Sequence, residues 1–256
     1  MKLEFITHVY AEKLPDFAKM FTAQLSSLYY WSPKCEVQVS VCTLHSDMLT
    51  QRVCREFGRR FRSERRHIAI SKFMFTPAQL FNRAYGRNQV AKQTTADVVW
   101  FCDADYIFGS GCLDALGEIW SSGFPATLIY PRHVMIHNSH KVGDAEIAKI
   151  TPGNLFTSDL SQYHRIRMTR AIGGIQIVTG ETARKGYLDG KWGSSEATDA
   201  TDFQKTLTDV AYHKRVGKDG KEMKSIMLPN LYRMRHLASA FETRERRLRN
   251  VLPGER

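Results

Sequence analysis

The sequence contains no apolar run long enough to cross a bilayer as a helix, and its opening, MKLEFITHVYAEK, lacks the apolar stretch of a secretory leader. The expectation is a cytoplasmic protein. It has no internal repeat, which excludes solenoids and propellers, and no linker long enough to separate independent domains. Cysteine is scarce, with five residues at 35, 42, 54, 102 and 112, odd in number and without a CxxC pair. That usage argues against a disulfide framework and for reduced, mostly buried thiols. Acid is also in deficit, with 26 Asp and Glu against 37 Lys and Arg, a net charge of +11.

What is present is enough for a core. At 256 residues, with 43% hydrophobic and 11% aromatic residues, the chain is globular rather than disordered. The basic excess is concentrated in two runs, QRVCREFGRRFRSERRH at 51–67 and ETRERRLRN at 242–250. Such runs fit a phosphate-rich partner such as nucleic acid, or an anionic membrane surface. They equally fit solvated helix faces laced with Glu–Arg pairs.

The chain alternates strand and helix signals. LEFITHV at 3–9 reads as a buried strand, followed by a helix opened by Pro15 and Asp16 with Phe17, Met20, Phe21, Leu25 and Leu28 on its apolar face. EVQVSVCT at 36–43 reads as a strand, the arginine-rich segment as a helix, and HIAIS at 67–71 as another strand. Thr76-Pro77-Ala78-Gln79 is a capping box that predicts one helix from Pro77 to Gln93. DVVWFC at 97–102 is a continuous apolar strand. This order predicts an α/β protein with a Rossmann-like, mostly parallel sheet flanked by helices. Beyond residue 110 the signals weaken. ATLIYP at 126–131 reads as a strand, 137–156 as a loop with a short helix, and AIGGIQIVTGE at 171–181 as a glycine-led strand. Residues 197–212 read as a helix with an acidic start and 215–223 as a hairpin-like turn.

In open α/β sheets ligands bind outside the carboxyl ends of the strands. The DVVWFC strand runs directly into Asp103 and Asp105, whose alternation on an extended backbone would turn both carboxylates toward one cation. Hard oxygen donors suit Mg²⁺ or Mn²⁺, which fill their other positions with water and substrate phosphates. Asp is also common where strands simply turn.

With those residues in view, the chain resembles the family-2-like glycosyltransferases of the GT-A fold. ITHVYAEKLPDFAKMFTAQLSSL at 6–28 is similar to the family's opening strand, nucleotide loop and first helix. AYGRNQVAKQTTADVVWFCDAD at 84–105 resembles its Arg-Asn helix, strand and DxD motif. AIGGIQIVTGETARKGYLDGKWGSSEATDATDF at 171–203 resembles the Gly-Gly acceptor strand, Gly-aromatic-Asp turn and acidic helix start. RMRHLA at 233–238 is similar to a late Met/His segment that supplies a further metal ligand in some galactosyltransferases. The second strand ends CTLHSD instead of in an Asp-Asp-Gly-Ser-like segment, which leaves Asp47 as a displaced candidate for base contact. The acidic helix start reads Asp199-Ala-Thr-Asp202, with no Gln-x-x-Arg-Trp after it, against a processive synthase.

The resemblance implies residues 1–110 as a nucleotide-sugar-binding half and 111–256 as a smaller acceptor-binding half of the same compact domain. It implies Mn²⁺ or Mg²⁺ held by Asp103, Asp105 and His236, and a nucleotide-sugar donor, a UDP-sugar first. Thr7, Tyr10 and Glu12 would contact ribose and base, and Arg87 would lie near the nucleotide or structure its helix. Gly173 and Gly174 would allow close backbone approach, and Trp192 would be a platform for the acceptor. Asp199 or Asp202 would be the general base of an inverting transfer, at a helix start that favours its ionised form.

With the strongly basic chain, the acceptor expected first is a hydroxymethylated pyrimidine in DNA, as in viral DNA hypermodification, which would place the protein in a host cytoplasm. A saccharide or lipid-linked glycan acceptor is the alternative within the same activity. A non-catalytic nucleic-acid-binding protein on a GT-A-like scaffold is the alternative outside it.

Overall fold

The strands form where the apolar runs are continuous and the helices where they are periodic. A computed structural model describes residues 1–12, 14–137, 145–171, 173–187, 212 and 223–234. The first half of the chain is β1 (Lys2–His8), α1 (Asp16–Tyr30), β2 (Glu36–Leu44), α2 (Met48–Ser63) and β3 (Ile68–Phe75), then α3 (Pro77–Phe81), α4 (Arg83–Ala91) and β4 (Val98–Phe101). It continues with β5 (Tyr106–Phe108), α5 (Cys112–Ser121), β6 (Leu128–Pro131), β7 (His133–His137), β8 (Tyr163–Arg167) and β9 (Gln176–Thr179). A short helix, Gly180–Arg184, and the strands β10 (Met223–Ile226) and β11 (Leu231–Arg233) complete the described elements.

Seven strands make the main sheet in the order β10-β6-β9-β4-β1-β2-β3. All its pairings are parallel except those of β9, which runs antiparallel to both β4 and β6. The expected α/β class with a mostly parallel sheet is therefore the observed one. Strands from before and after residue 110 share this sheet. A second sheet, β5-β11-β7-β8, branches from the main one immediately after Asp105 and forms the smaller region.

The core lies on both faces of β1 and β4. The apolar face expected for α1 is buried, with Phe17, Met20, Phe21, Leu25 and Leu28 all packed inward. Phe5, Trp100 and Phe108 form an aromatic cluster with ring centroids 4.7 to 5.6 Å apart. Each such buried side chain contributes about 1.5–3 kcal/mol. The five cysteines are free thiols, four of them buried. Among the described residues no helix is long and apolar enough to cross a membrane.

Three expected elements differ. The helix from Pro77 to Gln93 is two helices, because Asn82 leaves helical geometry (φ −81°, ψ 83°) and its side chain caps the second by accepting from the Tyr85 amide at 3.2 Å. The strand at 67–71 runs on to Phe75, paired with β2 throughout. The glycine-led strand at 171–181 is a strand only from Gln176. Gly173–Ile175 is a single 3₁₀ turn and Gly180 opens a helix capped by Thr179. The helix expected at 197–212 and the turn at 215–223 lie outside the described residues, apart from Tyr212 and Met223.

Candidate active site

All four residues of β4 are buried, and at Phe101 the strand stops. Residues 102–105 leave the ladder, so Asp103 and Asp105 do not sit on one extended strand as the spacing predicted. Backbone anchors hold this segment instead. The Cys102 amide donates to Ile6 O (3.1 Å), the Thr7 hydroxyl donates to Cys102 O (2.6 Å), and Gln24 Nε2 donates to Asp103 O (2.9 Å). Gly174 presses against the segment from the 3₁₀ turn before β9, its carbonyl held by Trp100 Nε1 at 2.9 Å. A Cβ on Gly174 would fall 2.5 Å from Asp103 N and 2.7 Å from Asp103 Cγ. The second glycine of the Gly-Gly pair is thus required by close approach, whereas Gly173 is suited to its positive φ of 59°.

The Asp103 carboxylate faces α4, where Arg87 Nη2 lies at 3.3 Å and Arg83 Nη1 at 3.8 Å from its Oδ1. Arg87 is only 1% exposed. Its Nη1 donates to the Tyr187 hydroxyl (2.9 Å), which donates to Gln176 Oε1 (2.7 Å), while Gln176 Nε2 donates to Ala171 O (3.2 Å). The guanidinium also lies over the rings of Phe101 and Tyr187. Asn88 Oδ1 accepts from the Tyr187 amide at 2.9 Å, across Gly186, whose φ of 88° few other residues adopt. The Arg-Asn pair of α4 is in this way tied to the Gly-Tyr pair that follows the Gly180–Arg184 helix.

Asp105 faces the other way. Its Oδ2 accepts from Arg233 Nε at 2.8 Å, and its side chain is 5% exposed. Strand register builds this pair, since Arg233 stands opposite Tyr106 on the β5–β11 ladder and the Met234 amide donates to Asp105 O (2.8 Å). The Asp105 carboxylate first, and the Tyr106 hydroxyl after it, hold Arg233 even more firmly protonated than usual. The two carboxylates are hard oxygen donors at the carboxyl edge and fit Mg²⁺ or Mn²⁺ in donor chemistry. A cation at Asp105 Oδ2 must displace the Arg233 guanidinium. Among the described residues no group of three or more His, Cys, Asp or Glu side chains is arranged to hold a metal.

The loop after β1 completes the floor. Tyr10 is buried against Phe17 with ring centroids 4.3 Å apart, and its hydroxyl accepts from Arg83 Nη2 at 3.2 Å. Glu12 is exposed and accepts from the Ser46 hydroxyl. Thr7 is fully buried, its hydroxyl engaged by Cys102 O. Asp47 is occupied as well: it caps α2 through Thr50 N (2.9 Å) and Thr50 Oγ1 (2.7 Å), and accepts from Ala11 N at 2.7 Å. It is buried beneath the loop. Asp199, Asp202, His236, Trp192 and the run at 242–250 lie outside the described residues. The run at 51–67 occupies α2 and the turn beyond it, so its last arginines reach the edge of the sheet where β3 begins, opposite Asp103.

His8, Arg83 and Arg233 belong to the site without having been expected there, and Tyr187 enters as the aromatic of the Gly-aromatic-Asp turn. Arg83 was legible, since it precedes Arg87 by four and shares its helix face. His8 was not. Its ring is buried against Gly86, and neither nitrogen meets a hydrogen-bond partner among the described residues. Burial first, then Arg87 and Arg83, push its pKa well down. The unfolded chain takes up this proton near pH 6.5 and the fold refuses it, so protonation adds no penalty above about pH 6.5 and destabilises the fold progressively below it. Urea unfolding at pH 7.5 and 5.5 should show wild type losing about 1 kcal/mol more than His8→Gln. Equal losses would contradict the assignment.

Neither a family model nor a curated protein matches the chain. Solved structures do. S. aureus TarS 1-349 superposes with a TM-score of 0.56 at 16% identity, over 91% of this chain and 60% of that one. The same protein in complex with UDP-GlcNAc gives 0.55 at 16% identity, over 91% and 58%. The mannosyltransferase PcManGT from Pyrobaculum calidifontis, in complex with GDP-Man and Mn²⁺, gives 0.53 at 13% identity, over 91% and 56%. The shared property is the fold. It is the GT-A arrangement that the motifs implied, and the chain spans 60% or less of each of these proteins.

Proposed function

We propose that the chain is a non-processive, inverting glycosyltransferase that moves a sugar from a nucleoside diphosphate, a UDP-sugar first, to an acceptor hydroxyl. The observation that supports this most is the presentation of Asp103 at the carboxyl edge of the sheet, wedged by Gly174 and gripped by Arg87. The folds it shares include one in complex with UDP-GlcNAc and one in complex with GDP-Man and Mn²⁺.

In the reaction the acceptor oxygen forms a bond to the anomeric carbon while the bond from that carbon to the diphosphate oxygen breaks, its electron pair leaving with the diphosphate. The acceptor proton passes to Asp199 or Asp202. Tyr10 and Glu12, on the loop after β1, would line the nucleoside. Arg83, Arg87 and Arg233 set guanidinium groups at the two carboxylates, positive charge that a diphosphate can meet. When bound, Mn²⁺ or Mg²⁺ held by Asp103 and Asp105, with His236 as a further ligand, supplies Lewis-acid charge to the departing group.

The acceptor is a hydroxymethylated pyrimidine in DNA, a polyanion that matches the net charge of +11. Its base is flipped toward the site. A panel of UDP- and GDP-sugars with Mn²⁺, with diphosphate release followed in the presence and absence of hydroxymethylated DNA, tests the reading. Release from a UDP-sugar should be stimulated by the DNA, and Asp103→Asn should lower it about a hundredfold. No release from any sugar nucleotide would end the proposal.

A further inference from the structure

Four exposed arginines, Arg132, Arg165, Arg167 and Arg170, gather on the acceptor side of the site, outside either basic run of the sequence. Arg165, Arg167 and Arg170 share the stretch RIRMTR at 165–170, and the fold brings Arg132 to them. Arg132 follows β6, and Arg165 and Arg167 lie two apart on β8, so they share a face. His133 stands opposite Arg167, and Arg165 Nη2 donates to His133 Nδ1 at 2.8 Å. The Met168 amide donates to Arg132 O at 2.8 Å and the Tyr130 hydroxyl to Thr169 O at 3.3 Å, which binds the Arg167–Arg170 segment to the end of β6. Among the described residues no carboxylate forms an ion pair with any of the four. In and after α2, Glu56 takes Arg55 and Arg59 and Glu64 takes Arg66, while Arg52, Arg60, Arg62 and Arg65 form no ion pair among the described residues, so what sets the rim apart is its place beside Asp103.

Register places this cluster beside the chemistry. Trp100 and Ile129 both stand opposite Ile177, so Arg132, three residues beyond Ile129, leaves the sheet at the height of Asp103. Two strand spacings separate them, about 10 Å. Arg170 precedes by four residues Gly174, the residue that wedges Asp103. By contrast α2 is about 24 Å long, from its 16 residues, and carries its last arginines away from this edge.

We infer that Arg132, Arg165, Arg167 and Arg170 form a phosphate-binding rim that seats the backbone of a DNA duplex beside the sugar-transfer site. The inference rests on the proposed DNA acceptor and assigns its docking surface to residues that neither basic run contains. Unpaired guanidinium groups on a strand edge can each release a counterion on meeting a phosphate, which is the source of salt-sensitive affinity. His133 reports the same event. Its partial burial first, and then Arg165, Arg132 and Arg167, hold its ring below the usual histidine range. Phosphates that neutralise those guanidinium groups should let it rise.

The test is fluorescence anisotropy of the full chain with a labelled duplex of about 20 base pairs between about 50 and 200 mM salt. The triple variant Arg132→Gln/Arg165→Gln/Arg167→Gln should bind about tenfold more weakly and lose about 2 to 3 units of the log–log salt slope. Arg62→Gln/Arg65→Gln should stay within about twofold of wild type, because those side chains lie at the far edge. In wild type the NMR-detected pKa of His133 should rise when duplex is added. Duplex affinity and slope unchanged in the triple variant would overturn the inference, as would equal affinity of wild type for heparin. UDP titrated into both proteins separates the two claims. Retained UDP binding shows that the triple variant is folded, whereas a wild type that binds duplex but no nucleotide would sink the transferase reading and leave the rim standing.

Discussion

Gly174→Ala should cut sugar-nucleotide turnover about a hundredfold while the protein stays folded. The added methyl would lie 2.5 Å from the Asp103 nitrogen, 2.7 Å from its Cγ and 2.8 Å from its Cβ. None of these is the far end of a flexible chain, so either Asp103 or the Gly173–Ile175 turn must move. Movement of Asp103 strains the Gln24 bond to its carbonyl and the Thr7 bond to Cys102 O, and takes the carboxylate away from Arg87. Gly173→Ala is the control. Its Cβ would meet nothing nearer than Asp103 Oδ2 at 3.7 Å, so it should cost about 1–2 kcal/mol through its positive φ and leave Asp103 in place. Turnover and thermal melts of both variants check this. Wild-type turnover in Gly174→Ala would contradict the placement of Asp103.

Arg87→Ala should be the most destabilising single change in the site, at about 3–5 kcal/mol. It empties a buried volume beside the Phe101 and Tyr187 rings, and takes from Asp103 and the Tyr187 hydroxyl a shared cation. Lysine is no substitute. Its ammonium is a point charge, whereas the planar guanidinium meets Tyr187 through Nη1 and Asp103 through Nη2 and lies over two rings. Arg87→Lys should therefore recover less than half of the loss in chemical denaturation. Full recovery would reduce Arg87 to a simple counter-charge.

Most of the main sheet was readable because β4 is an uninterrupted apolar run, β2 alternates Val37, Val39 and Val41, and the helices between them show apolar faces. VVWF is buried throughout, as a strand covered on both sides must be, and the Thr76–Gln79 capping box is formed. The break at Asn82 was hidden because Asn is tolerated inside helices and only its capping bond to Tyr85 marks the stop. The short β5, β7, β8 and β11 were hidden because strands of three to five residues carry too little alternation to read.

At the site, Asp103, Arg87 and Gly174 were legible from their order along the chain, and the structure brings them into contact. Arg233 was not, because its partner Asp105 is 128 residues away and the contact exists only through the β5–β11 register. The rim of Arg132, Arg165 and Arg167 was invisible for the same reason. Arg165 and Arg167 are near neighbours in sequence, but Arg132 is far from both, and bringing it to them takes a β6–β7–β8 path.

The most direct measurement is a crystal structure of the chain with a UDP-sugar and Mn²⁺. The account predicts the ion on Asp103 and Asp105, with the diphosphate beside it and the Arg233 guanidinium displaced from Asp105. An ion bound elsewhere, or a nucleotide that leaves the Asp105–Arg233 pair intact and makes no approach to Asp103, would contradict it.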